Sequence, residues 1–270
     1  MNAVDEALRA APRAAARPLP SGVRRIVVAG GGGALGAALV EMLLAGRRFA
    51  EVGVLVTRPL ETAVRGLLPL RCDARTFAPC GVASPSAGAD TAAIVFDRER
   101  HANGREAAFL RADPAALPAL AASLHRRGVR RLLVVMPHAP SGLPEALKRG
   151  LATLDEQAVS ALGFEQLLFV RSAQAPAAPR GAGFGQRLAH GLLAQLRVMV
   201  PQPDQPVRAA KVARFVAELA QRLADAPPGT RVVPPEVVWQ AAQPGDVGAL
   251  AQAWLAGRPL GEAAATPPRM

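Results

Sequence analysis

The sequence predicts an α/β protein built around a doubly wound parallel β-sheet, with helices on both faces and a small C-terminal lobe. Short β-branched apolar runs alternate along the chain with longer segments of helical periodicity. Parallel neighbouring strands cannot be joined by a tight turn and need a crossover, so this alternation favours βαβ units. The first apolar run, residues 24–29, leads directly into four glycines and a helical segment. A ligand is therefore expected in the crevice at the carboxyl ends of the strands.

The individual elements follow from periodicity and from the positions of glycine and proline. Asp113 followed by Pro114 is typical of a helix start, because the side chain caps the first turn and proline suits its first position. We expect a flexible leader at 1–21, one domain at 22–257 and a tail at 258–270. The predicted strands are 24–29, 52–57, 68–72, 91–96, 131–136, 166–171 and 232–239. The predicted helices are 34–45, 113–127, 145–162, 184–198, 209–224 and 245–256.

The composition excludes several classes of protein. Of 270 residues, 50% are hydrophobic and 20% are charged, so the chain can bury a core and is not of the disordered class. No apolar run approaches the roughly 18–20 residues that a membrane span needs. Asp5 and Glu6 stand where a secretory signal is basic, so a cytoplasmic location is expected, with Cys72 and Cys80 as reduced thiols. The histidines and cysteines lack metal-ligand spacing, and no metal site is predicted.

The net charge of +11 makes a nucleic-acid-binding protein one alternative, because clustered cations release counterions from phosphates. The 32 basic residues include only two lysines, Lys148 and Lys211, and the arginines occur as scattered pairs. The chain has no tyrosine, and aromatic residues are not interleaved with basic ones as in a stacking platform. GC-rich coding explains the arginine content better than selection for a polyanion, so nucleic acid is the least favoured partner.

The most informative segment is the glycine cluster GGGGALG, which follows the first predicted strand. As a GxxGxxG pattern, Gly30 would permit the tight strand-to-helix turn, Gly33 the close approach of a pyrophosphate, and Gly36 the packing of helix on strand. Amides at the helix start, including those of Ala34 and Leu35, would face the phosphates. The alternative is a flexible glycine loop without a ligand. The position between a strand and a helix favours a dinucleotide site in a Rossmann-type sheet.

The second and third predicted strands bear on which dinucleotide would bind. An NAD site usually has an acid at the tip of the second strand, whereas this strand ends Val56-Thr57-Arg58. Because an arginine can bind the 2′-phosphate, NADP(H) is favoured over NAD(H); alternatively, Arg58 is one more exposed arginine. Asp73, just after the third strand, could accept a hydrogen bond from the adenine amino group or simply hold a turn.

With these elements in place, residues 24–220 resemble the atypical short-chain dehydrogenase/reductases, especially the group around the Tat-interacting-protein oxidoreductases. The resemblance rests on GGGGALG, on NGREAAFLRADPAALPALAASLHRRGVRRLLVV, on ALGFEQLLFVR and on VRAAKVARFVAELA. Members of that group bind NADP(H). The resemblance therefore implies that the loop after the fourth strand, Phe96-Asp97-Arg98, borders the cofactor.

The wider family uses a serine after the fifth strand and a YxxxK helix, in which the tyrosine exchanges a proton with the substrate oxygen. Laid on this chain without gaps, the tyrosine position falls on Lys148, the lysine position on Ala152, and the serine position on Met136 or Pro137. The resemblance thus implies a cofactor-binding or regulatory protein that lacks the catalytic set.

The alternative is an NADPH-dependent oxidoreductase with a non-standard proton donor. Lys148 could act if burial lowered its pKa, and His138 follows the fifth predicted strand. A solvated helix lysine and a structural loop histidine are the competing interpretations. Neither the substrate, a small molecule or protein partner, nor the oligomeric state follows from the sequence.

Overall fold

The computed structural model of the protein describes residues 24–60, 64–80, 88–97, 107–138, 153–173 and 207–258. Within them lies a seven-stranded sheet in the order β3-β2-β1-β4-β5-β6-β7, and every strand pair is parallel. This confirms the predicted doubly wound α/β fold. The strands are β1 (Arg25–Ala29), β2 (Glu51–Val56), β3 (Leu67–Arg71), β4 (Thr91–Val95), β5 (Arg131–His138), β6 (Gln166–Ala173) and β7 (Gly229–Val233).

Helices cover both faces of the sheet, as predicted. One core cluster joins β1 and β2 to helices α1 (Ala34–Ala45) and α4 (Ala209–Arg222). The other packs α2 (Leu117–Arg126) and α3 (Leu154–Ser160) against the opposite face. The central strands are almost entirely apolar beyond their first residues because both of their faces are covered; all five residues of β4 are buried.

The C-terminal lobe differs from its prediction in one element. The sequence predicted a strand over 232–239, but β7 ends at Val233 and α5 (Pro235–Ala241) begins two residues later. Pro235 occupies the first helical position, where the missing N–H costs nothing. The lobe's last helix, α6 (Val247–Leu255), packs against α4, which also contacts α5, and all three belong to the first core cluster.

Other boundaries shift by a few residues. Residues Pro114–Ala116 form a 3-10 turn before α2, capped by Asp113, whose carboxylate accepts from the Ala115 amide at 3.0 Å. β5 continues through His138, which was predicted to lie beyond the strand. The predicted leader, the helix at 184–198 and the first part of the helix at 145–162 lie outside the described residues. Over the part of the chain that is described, no helix is long and apolar enough to cross a membrane.

Candidate functional site

The glycine turn joins β1 to α1 at the carboxyl edge of the sheet. Gly30 has φ +91°, a left-handed conformation that suits glycine, and a Cβ there would overlap the Val95 carbonyl of β4. A Cβ on Gly36 would overlap the Gly30 carbonyl. The chain therefore turns from β1 into α1 with the helix start pressed against the strand ends, which is the arrangement predicted from the GxxGxxG spacing.

The strand order puts this turn at a topological switch point. The chain proceeds from β1 to β2 and β3 on one side and then crosses over to β4, β5 and β6 on the other. In open parallel sheets the loops diverge at such a point and leave a crevice above the strand ends, which is where ligands bind. The N-terminus of α1 faces that crevice with its partial positive charge.

The carboxylate of Asp97, just past β4, sits at the N-terminus of α1. Its Oδ2 accepts hydrogen bonds from the Leu35 amide at 2.5 Å and the Gly36 amide at 3.4 Å. A Cβ on Gly33 would overlap the Asp97 side chain, so the absence of a side chain at Gly33 is what admits this carboxylate. Asp97 was predicted to border the cofactor, but its contact with the helix amides was not anticipated. No local signal reveals that contact, because the two partners lie 62 positions apart.

A second contact across the site involves residues 108–110, which we name the covering segment. It runs antiparallel to the end of β2, with Phe109 opposite Val56. The Ala108 carbonyl accepts hydrogen bonds from the Thr57 amide at 2.8 Å and the Arg58 amide at 3.5 Å. The Leu110 amide donates to the Leu55 carbonyl at 2.8 Å. A Cβ on Gly31 would come within 3.1 Å of the Phe109 ring, so the ring lies against the glycine turn.

Two predicted adenosine-side residues, Arg58 and Asp73, are both exposed at the tips of β2 and β3. Asp73 holds a turn: its Oδ1 accepts from the Thr76 amide at 2.7 Å, the Thr76 hydroxyl at 2.9 Å and the Arg75 amide at 2.9 Å. The two Thr76 hydrogen bonds and then the Arg75 amide hold the pKa of Asp73 below its ordinary value. The turn interpretation of Asp73 is therefore present in the structure, and its carboxylate is ionised at neutral pH.

The turn that Asp73 begins is anchored to α2. It ends at Phe77, which has φ +55° and a buried ring. The Phe77 carbonyl accepts from the Ser123 hydroxyl at 3.1 Å and from the Arg127 guanidinium. Burial lowers the pKa of Arg127 from its ordinary value without removing its charge, since arginine remains protonated in proteins.

Of the remaining predicted site residues, Phe96 and His138 belong to the described part of the chain. Phe96 is buried in the second core cluster. His138 ends β5, with its backbone in register with Ala173 of β6. Arg98 and Lys148 lie outside the described residues. The glycine-turn residues, Phe96 and Asp97 are thus described, whereas of the two proposed proton donors only the backbone of His138 is described.

Sequence reasoning missed a buried ion pair at the carboxyl end of β6. The Arg171 guanidinium donates through Nη2 to Glu156 Oε2 at 2.8 Å and Oε1 at 3.1 Å. The two side chains are only 3% and 2% exposed, so the charges are held almost entirely out of water. Glu156 belongs to the first turn of α3, which Thr153 caps by accepting from the Glu156 amide at 3.1 Å. The pair ties α3 to the sheet next to the crevice.

No family model and no curated protein matches the chain. Solved structures of similar shape include MoeE5 in complex with UDP-glucose and NAD, with 17% identity and a TM-score of 0.44 over 78% of this chain and 76% of that one. A wide-type short-chain dehydrogenase/reductase from Veillonella parvula in complex with NADP has 13% identity and a TM-score of 0.41 over 78% and 94%. UDP-glucose 4-epimerase from Brucella ovis in complex with NAD has 15% identity and a TM-score of 0.42 over 78% and 77%.

At such low sequence identity these similarities bear on the fold alone. The strand order of this chain establishes the fold independently of them. β1 occupies the centre, β2 and β3 lie on one side, and β4 to β7 lie on the other. The order 3-2-1-4-5-6 is that of a Rossmann-type sheet, whose two halves meet at the switch point. The chain therefore has a Rossmann-type α/β fold with a seventh parallel strand at its edge.

Proposed function

We propose that the protein binds a nicotinamide dinucleotide in the crevice above the glycine turn. The observation that supports this best is the glycine turn at the topological switch point, where Gly30 and Gly36 leave no room for side chains and bring the α1 N-terminus to the strand ends. A helix N-terminus there suits a pyrophosphate, because the amide groups and the helix dipole both favour negative charge. The nicotinamide part of the proposal rests on the resemblance to the short-chain dehydrogenase/reductases.

The proposed role is cofactor binding or regulation rather than carbonyl reduction. The chain contains no tyrosine, so the phenol that protonates the substrate oxygen in the wider family has no counterpart here. A dinucleotide-binding protein without that acid can still change its surface or its stability on loading, because any ligand that prefers the native state stabilises that state.

Replacing Ala34 with glutamate tests the site. Ala34 is the first residue of α1 and is partly exposed, so a longer side chain can extend into solvent there and should preserve the fold. Two like charges about 4 Å apart repel by about 1 kcal/mol in water and about 4 kcal/mol near a protein surface, which corresponds to a loss of NADPH affinity of about fivefold to a thousandfold. Calorimetric titration of NADPH into the parent protein and the Ala34→Glu variant measures this loss of affinity.

Ala37→Glu is the matched control. It adds the same charge to the same helix, one turn further from the crevice, at a residue that is also partly exposed. We expect this variant to bind NADPH within a few-fold of the parent protein. Equal affinity in Ala34→Glu, Ala37→Glu and the parent protein would place the dinucleotide elsewhere and end the site proposal.

We further propose that Arg58 selects NADP(H) over NAD(H). Its side chain is exposed at the tip of β2, while its backbone amide is within 3.5 Å of the Ala108 carbonyl, so the guanidinium is the group left to reach a 2′-phosphate. Arg58→Glu should weaken NADPH binding by about tenfold to a hundredfold, since a hydrogen bond to a charged group contributes about 1.5–3 kcal/mol. NADH affinity should change little.

The control for this change is Arg130→Glu, which reverses the same charge at another exposed residue. Arg130 lies just before β5, at the edge of the sheet opposite to the crevice. Titrating both reduced dinucleotides into both variants separates a local contact from a general loss of positive charge. Losses of the same size for NADPH and NADH in Arg58→Glu would show that Arg58 does not bind the 2′-phosphate.

A further inference from the structure

We propose that Asp97 is a built-in competitor for the phosphate position of the glycine turn, so that a dinucleotide binds only when the Asp97 carboxylate leaves the α1 N-terminus. This inference rests on the proposed function and concerns its regulation. The Asp97 carboxylate accepts from the Leu35 amide at 2.5 Å and the Gly36 amide at 3.4 Å. These amides belong to the group that would hold a pyrophosphate, so one anion excludes the other.

The origin of the carboxylate distinguishes this contact from an ordinary helix cap. α6 is capped by its own preceding residue, Asp246, which accepts from the Gly248 and Ala249 amides at 2.8 and 3.1 Å. α1 has Gly33 at its N-cap, with no side-chain cap and no acidic residue in its first turn within the described chain. Its negative partner comes instead from the end of the central strand β4, 62 positions away.

Gly33 supports the same conclusion. A side chain there would overlap the Cβ, Cγ and Oδ2 atoms of Asp97, so the space left by Gly33 is filled by this acid. The GxxGxxG pattern otherwise reserves that space for the backbone's approach to a pyrophosphate. The glycine turn therefore keeps the geometry of an anion site, and the protein supplies the anion itself.

Electrostatics sets the expected size of the effect. A bound pyrophosphate would displace the Asp97 carboxylate from two amides and meet its negative charge at short range in a partly desolvated crevice. Asparagine has nearly the same shape and can still accept from an amide, but it carries no charge. We therefore expect Asp97→Asn to bind inorganic pyrophosphate and NADPH at least tenfold more tightly than the parent protein.

The experiment titrates sodium pyrophosphate and, separately, NADPH into the parent protein, Asp97→Asn and Asp246→Asn. Asp246→Asn is the matched control, because it removes an equivalent helix-capping charge from a different helix, α6. The start of α6 lies against Arg222 at the C-terminal end of α4 and not at the glycine turn. Calorimetry measures affinity, and the midpoint of thermal unfolding in the presence of each ligand provides a second readout. Asp246→Asn should bind both ligands as the parent protein does.

Two outcomes separate this inference from the proposed function. Tighter pyrophosphate binding by Asp97→Asn without any NADPH binding would uphold the competition and contradict the dinucleotide proposal. Equal affinity of the parent protein and Asp97→Asn for pyrophosphate, and likewise for NADPH, would overturn the competition while leaving the dinucleotide proposal intact. If Asp97→Asn does not fold, Asp97→Ser provides the same comparison with a shorter neutral acceptor.

Discussion

Mixed with NADPH and an excess of simple carbonyl compounds, the protein is expected to leave the reduced nicotinamide unoxidised. Hydride transfer to a carbonyl builds negative charge on the oxygen, and that charge needs a positioned donor. In the short-chain dehydrogenase/reductases that the sequence resembles the donor is a tyrosine, and this chain has none. Losing a general acid typically lowers the rate by about 10²–10⁴-fold, which takes an ordinary reductase close to background.

The measurement is the absorbance of NADPH over time with aldehydes, ketones, quinones and sugar nucleotides as acceptors. The double variant Lys148→Ala with His138→Ala removes both side chains that the sequence analysis proposed as alternative proton donors. It should bind NADPH nearly as the parent protein does and show the same background rate. Brisk oxidation by the parent protein that disappears in this variant would make the protein a reductase with a non-standard acid.

Replacing Glu156 with leucine is expected to lower the free energy of unfolding by about 3–5 kcal/mol, the usual cost of removing one partner of a buried ion pair. The Arg171 guanidinium, 3% exposed, would lose the carboxylate that now accepts from Nη2 at 2.8 and 3.1 Å. Most domains have only about 5–15 kcal/mol of stability in total, so this single change is a large fraction of it. Chemical denaturation measures the loss.

The double variant Glu156→Leu with Arg171→Met distinguishes the buried charge from lost packing. Replacing both partners with apolar residues of similar volume is often neutral or stabilising, so most of the lost stability should return. Glu218→Leu is a matched control, because its pair with Arg222 is partly exposed on α4 and should contribute only about 0.2–1 kcal/mol. A loss in Glu156→Leu no larger than in Glu218→Leu would show that water reaches Arg171.

The sequence predicted well the central strands, whose apolar pattern reflects burial on both faces. β1 and β4 lie in the middle of the sheet, and their short apolar runs match the structure within one residue. β7 was misplaced because its first three residues, Gly229, Thr230 and Arg231, give no apolar signal at its start. The apolar residues that suggested a strand after Val233 instead form one side of α5.

In the candidate site, too, the features that depend on neighbouring residues could be predicted, and those that depend on residues distant in sequence could not. The glycine turn could be predicted because Gly30, Gly33 and Gly36 are close in sequence and their spacing has a direct geometric meaning. The Asp97 contact and the Arg171–Glu156 pair could not, because each requires knowing which two remote segments meet. Long-range pairing depends on packing of the whole sheet, and a single sequence carries no local trace of it.

The covering segment has a consequence for how the crevice can change in evolution. Its Ala108 carbonyl accepts hydrogen bonds from the Thr57 and Arg58 amides at the tip of β2, and its Leu110 amide donates to the Leu55 carbonyl. That wall of the crevice is therefore built from main-chain hydrogen bonds, which most substitutions leave unchanged. Under the proposed function we expect discrimination between ligands on this side to depend on exposed side chains such as Arg58, so that a single codon change there would alter the preferred ligand without disturbing the wall that supports it.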